Sequence, residues 1–213
     1  MMNSVAKSST TETDPDAAER RYFELNVDFR LPTFPSVDWT NESTLRTGLR
    51  TQDDKPFRGI QFSEPPKIVV ERKNRRGPLR DAYSIDLGIW LVSDRTKLLF
   101  EQMDREAFAF ERAEVNDRKF VEPSPAFWLC HIVRMLDCVD EEQSKILYQE
   151  DIPFKNYLRL IDVKMRREVI GAAHAFRPKY AARTDIVDDV LATAIKREKI
   201  RGFGFVEIQR PST

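Results

Sequence analysis

Cysteine is almost missing from this 213-residue chain: Cys130 and Cys138 are the only two. Eight residues apart, they would stand about 12 Å apart on a helix and about 26 Å apart on a strand. A disulfide needs Cα atoms within about 7 Å, so neither geometry permits one. Both are expected as buried free thiols in a reducing compartment. Glycine is scarce too, at seven residues. No Gly-rich phosphate loop can be assembled from them: Gly202-x-Gly204 lacks a third glycine and leads into a strand pattern, where a dinucleotide fingerprint needs a helix. Histidine occurs only as His131 and His174. They do not cluster with other ligands at metal-binding spacing, and Cys130 and His131 would point to opposite faces of a strand, so neither a metal nor a cofactor is expected. No Gly-x-Ser-x-Gly elbow and no local cysteine signature marks a nucleophile, so no catalytic residue is assigned.

Net charge is also lacking. Lys plus Arg and Asp plus Glu stand at 35 each, so no global field draws the chain to nucleic acid or an anionic membrane. No apolar run approaches the 18 residues or so of a membrane helix, and the first 18 residues lack a basic start and an apolar stretch. The expectation is a protein that stays in the cytoplasm.

What the chain does have is phenylalanine, fourteen against five tyrosines, which points to a core built on phenyl rings. Residues 1–18, rich in Ser, Thr, Asp and Glu, read as a flexible tail. Residues 19–213 read as one α+β domain, a mostly antiparallel sheet with a few helices packed on it. Tyr22–Phe29 alternates as a first strand. Pro32–Pro66 is broken by prolines into loops with room for an edge strand. Pro66–Glu71 reads as a strand, and Gly77-Pro78 as a turn after the basic run Arg72–Gly77. Ile89–Val92 is a short apolar strand or helix entry. Ser93 then suits the N-cap of a helix burying Leu99, Phe100 and Met103, followed by the strand Ala107–Phe110.

The same grammar recurs near the end. Asp185 is a candidate N-cap for a helix over Ile186–Glu198, with Val187, Val190, Leu191 and Ala194 at i, i+3, i+4 and i+7. Gly202 is placed to cap that helix, and Phe203–Ile208 is a strand. The two units suggest two helices on one sheet, each followed by a Phe-x-Phe strand in the core. Phe127–Leu136 and Asn156–Val163 are further strand candidates. Adjacent carboxylates such as Glu141/Glu142 and Asp188/Asp189 read first as solvated surface, the latter pair in a helix's first turn.

Several stretches resemble, in order, the motifs of a bacterial immunity-protein family. Ser84-Ile85-Asp86-Leu87, then Trp90 through Leu99, resembles its acidic motif, valine-serine pair and helix. Leu136-Asp137-Cys138-Val139-Asp140 with Ser144 resembles its aspartate-then-serine motif. His174-Ala175-Phe176-Arg177 resembles its Phe-Arg strand, and Ile186–Ile208 its closing helix, turn and strand. Ser84-Ile85-Asp86 is a loose match, and Thr184-Asp185 stands where the family has a serine. The family is immunity protein family eleven, formerly a domain of unknown function, assigned to polymorphic toxin systems. The resemblance implies a protein that binds and blocks the toxic domain of a secreted effector. An adaptor or chaperone for such an effector is the alternative, and a small hydrolase using His131 or His174 with Asp140 a second.

A toxin that attacks nucleic acid carries a basic cleft, and clustered carboxylates suit an inhibitor of it. Asp137, Asp140, Glu141 and Glu142, followed by Tyr148, Glu150 and Asp151, form an acidic, loop-like stretch with an aromatic. They are the candidate toxin-binding residues, with Arg75 and Arg76 of the basic run as the counterpart for an acidic target.

Overall fold

The computed structural model describes residues 20–28, 36–45, 62–71, 79–86, 88–116, 126–181 and 183–208. The expected tail at residues 1–18 and the basic run Arg72–Gly77 lie outside them. The fold is α+β and sheet-dominated, with thirteen strands and four short helices among the described residues.

Where apolar residues occupy both parities of a short stretch, the strand is central and buried on both faces. Ile89–Ser93 (β5) is such a strand: Ile89 and Leu91 face one cluster while Trp90 and Val92 face another. β5 lies between Ala82–Asp86 (β4) and Phe127–Ile132 (β7). With Ser36–Trp39 (β2), Lys67–Glu71 (β3) and Phe108–Asn116 (β6) they make a six-stranded sheet in the order β2-β3-β6-β7-β5-β4. Only β3 and β6 pair in parallel. β2 is the edge strand for which the proline-rich stretch left room, and Glu42–Leu45 (α1) follows it.

Five more strands form a second sheet, mostly antiparallel. Tyr22–Val27 (β1) sits between Phe203–Glu207 (β13) and Ile186–Asp188 (β12). Beyond β12 come Ala175–Pro178 (β11) and, parallel to it, Met135–Leu136 (β8). Val139–Tyr148 (β9) and Tyr157–Met165 (β10) form a separate two-stranded hairpin.

The helix Asp94–Asp104 (α2) forms where the apolar stripe predicts, burying Leu99 and Phe100. Ser93 occupies its N-cap position but makes no capping bond. Its hydroxyl donates to Asp81 (3.1 Å) and meets Thr96 instead. The last long helix differs from expectation. Ile186–Asp188 is strand, and the helix Asp189–Arg197 (α4, the next after the short helix Arg167–Ile170, α3) starts after it. The true N-cap is Asp188, whose side chain accepts from the Leu191 N–H at 2.8 Å. Asp185 is instead a buried strand-entry residue. Val190 is nearly half exposed, so the buried face is Leu191, Ala192, Ala194 and Ile195. The left-handed residue that closes α4 is Lys199 (φ 52°), with Ile200 N–H donating to Ile195 O and Lys199 N–H to Lys196 O. That is the Schellman pattern. Gly202 serves a different purpose: a Cβ there would lie 2.1 Å from the Ala82 carbonyl oxygen.

The two Phe-x-Phe strands meet in one core, though each belongs to its own sheet rather than to a shared one. Phe100 stacks on Phe108 (4.4 Å between centroids) and touches Phe203 (5.8 Å). Phe110 and Phe205 are half-buried. Each is covered by a lysine from the preceding helix, Lys97 over Phe110 and Lys196 over Phe205. This core is the junction of both sheets with α2 and α4. A second cluster, with Tyr22, Phe176 and Ile186, lies on the other face of the five-stranded sheet and is roofed by the hairpin through Tyr157, Val163 and Met165.

Candidate partner-binding surface

The acidic stretch expected to be a loop is a strand. β9 runs from Val139 to Tyr148, paired with β10 at Val139–Asp140 and again at Lys145–Tyr148, with Glu141–Ser144 carried in a register shift between the two paired stretches. Its polar composition misleads because one side of the hairpin faces solvent throughout.

The carboxylates on it do not act alike. Glu141 is built into the hairpin. It accepts from the Tyr157 hydroxyl (2.7 Å) and the Tyr148 hydroxyl (3.0 Å) and pairs with Lys155. The Lys155 contact holds its carboxyl below the ordinary value, with the two tyrosine hydroxyls adding to the effect. Asp140 turns inward on its own strand, accepting from the Glu142 and Gln143 N–H groups (3.2 Å each) and from the Gln143 amide. Asp137 pairs with Arg166 at 2.8 Å. Glu142, Glu150 and Asp151 are exposed. Arg75 and Arg76 lie outside the described residues.

The hairpin also exposes apolar side chains that composition did not single out. β10 is irregular: its register shifts between Tyr157 and Arg159 and again between Leu160 and Asp162. At a bulge two residues oppose one across the ladder. Leu158 and Arg159 therefore share the position facing Leu147, and Ile161 and Asp162 the position facing Lys145. All six are exposed, while Tyr157, Val163 and Met165 are buried and Leu160 and Ile146 half-buried below. Tyr148 and Phe154 add exposed rings near the tip. A legible signal for this existed: five apolar residues within Tyr157–Val163, at both parities, exceed what one buried face accommodates.

The two histidines are each enclosed by structural partners. His174 Nδ1 lies 2.7 Å from Asp188 Oδ2 and 3.1 Å from Arg20 Nη2. Arg20 in turn donates to Asp188 (2.6 Å), Gly171 O and Ala173 O. Asp188, far from being solvated surface, is fully buried. His131 meets the Gly88 carbonyl. Around Gly88 converge the Arg177 guanidinium, the His131 ring and the Asp185 carboxylate, each 3.6–3.7 Å from where a Cβ would sit. Asp185 accepts from the Trp90 indole N–H at 2.9 Å. His174 thus pairs with Asp188, while Asp140 bonds within its own strand. Sequence reasoning missed Arg20 and the buried role of Asp185, because nothing local announces partners that lie 95 and 168 residues away. Among the described residues no group of His, Cys, Asp and Glu is gathered as metal ligands, and no helix is long and apolar enough to cross a membrane.

A sheet-built chain whose histidines are occupied by structural partners, with a partly apolar arm facing outward, has the features of a binding protein. Comparison with known proteins gives that class a family: the profile of the Immunity protein family (Imm11) matches residues 21–210. The chain belongs to that family. No curated protein matches it. An immunity family is in general non-catalytic and implies a toxin as partner.

Proposed function

We propose that the chain neutralises a cognate bacterial toxin by binding it directly, in the cytoplasm, without catalysis and without a cofactor. Residues 19–213 act as one binding domain. The toxin-facing surface includes the stretch Asp137–Tyr148, with Asp140, Glu141 and Glu142 on it. Family membership over residues 21–210 carries this reading. The hairpin geometry supports it, because Cys138 and Val139 seat the stretch on the core while Glu142, Gln143, Lys145 and Leu147 are left exposed.

Co-expression with the toxin domain tests it. Growth should be restored and the two chains should co-purify. His131→Ala and His174→Ala variants should still protect, because neither histidine is asked to do chemistry. Loss of protection in either variant, with the fold intact by circular dichroism, would sink the non-catalytic reading.

A further inference from the structure

We infer that the bulged outer face of the β9–β10 hairpin is the seat of the toxin domain, and that the domain's matching surface is apolar with a rim of both charge signs. This rests on the toxin-binding reading above. The bulges are what create the face. A regular strand would alternate its apolar residues inward, whereas here Leu158 and Ile161 are held outward beside Leu147.

Area and charge decide the occupant. Leu147, Phe154, Leu158 and Ile161 are 48%, 60%, 60% and 50% exposed, while Tyr148 leans on Tyr157 at the other side of the hairpin. Together the first four present on the order of 500 Å² of mostly apolar surface. A standard interface buries about 800 Å² on each partner, a little over half of it apolar. The apolar residues and their polar rim therefore make one footprint of standard size. A permanent pair of identical chains needs a larger and more apolar contact, so a separate protein is the better fit than a second copy.

The rim is balanced. On the strands Glu142 and Asp162 stand against Lys145, Arg159 and Lys164, and the tip adds Glu150 and Asp151. Four acids against three bases do not make a surface that mimics nucleic acid. Glu141, Asp137 and Asp140 are already engaged within the chain. The partner is therefore held by apolar anchors, and the exposed carboxylates tune its approach.

The test uses the full chain and the purified toxin domain from which it protects cells. Leu158→Asp with Ile161→Asp should raise Kd roughly thirtyfold or more, the loss of at least one anchor of the interface. Leu98→Asp, at an equally exposed leucine on α2, should leave Kd unchanged. If the aspartate pair fails to fold, Leu158→Ser with Ile161→Ser is read instead and should still weaken binding. A wild-type chain that does not bind the domain overturns the toxin reading itself. Tight wild-type binding that survives the hairpin changes overturns only this docking face. A wild-type dimer in sedimentation that the hairpin changes split into monomers assigns the face to self-association and overturns the proposal as well.

Discussion

At the scale of single residues, buried charge dominates. Asp185 is almost fully buried, and its burial pushes the carboxyl up to about 6, restrained by the Trp90 indole and the nearby Arg177. Burial pushes His131 the other way, down to about 4, and Arg177 adds to that. The signs oppose. The folded value of Asp185 lies above its ordinary 3.8, so its stabilisation is present below pH 4 and lost as pH rises toward 6. The folded value of His131 lies below its ordinary 6.5, so its stabilisation is present above pH 6.5 and lost as pH falls toward 4. Between pH 4 and 6 the two slopes largely cancel. Asp185→Asn keeps an acceptor for Trp90 but removes one titration. Its stability should then rise with pH across that window by on the order of 1 kcal/mol per unit. Urea denaturation at several pH values reads this, and a variant as flat as the parent would contradict it. Asp188 is a second buried carboxylate. One oxygen holds Arg20 and faces His174 while the other caps α4. Asp188→Ala strands the Arg20 charge and uncaps the helix, and should cost about 3–5 kcal/mol in the same experiment.

At the scale of elements, close approach sets the tolerances. Gly202 has φ +121°, and any Cβ would strike the Ala82 backbone from 2.1 Å. No flexible side chain is there to yield. Gly202→Ala should therefore destabilise by about 3 kcal/mol or more, seen as a large fall in Tm, and a near-neutral result would show that the β4–β13 approach is slack. The same elements show what could be read in the chain. α2 and both Phe-x-Phe strands were legible because an unbroken stripe and a short alternation need no distant partner. The start of α4 was not. Val187, Val190, Leu191 and Ala194 fit a helix, yet Val187 pairs across strands with Phe23 and Ala175, and only that pairing makes Ile186–Asp188 extended. β9 was hidden by its carboxylates, and β10's outward face by bulges that change its burial period from two residues to three. The acidic stretch was thus legible as a surface feature. Its hairpin and the internal engagement of Glu141 were not, because each depends on pairing between the two strands, and the apolar face was announced only by the excess of apolar residues in Tyr157–Val163.

At the scale of the whole molecule, the two larger sheets enclose one core with α2 and α4, and the hairpin, seated on a second core through Tyr157, Val163 and Met165, presents the outer face that the proposed contact uses. Its charges should govern rate more than strength. Glu141 is unsuitable for testing this, since its reversal would break the tyrosine and Lys155 contacts. Reversing the exposed Glu142 and Glu150 should slow association a few-fold at low salt, with the difference fading as ionic strength rises toward physiological levels. An unchanged association rate at low salt would remove those carboxylates from the contact. Inhibition by direct binding is measured by titrating a fixed amount of active toxin domain with the purified chain. Toxin activity should fall in proportion to the chain added and vanish near one equivalent. Inactivation by far less than one equivalent would mean that the chain acts catalytically. Full activity in the presence of excess chain would mean that it does not neutralise that toxin by binding.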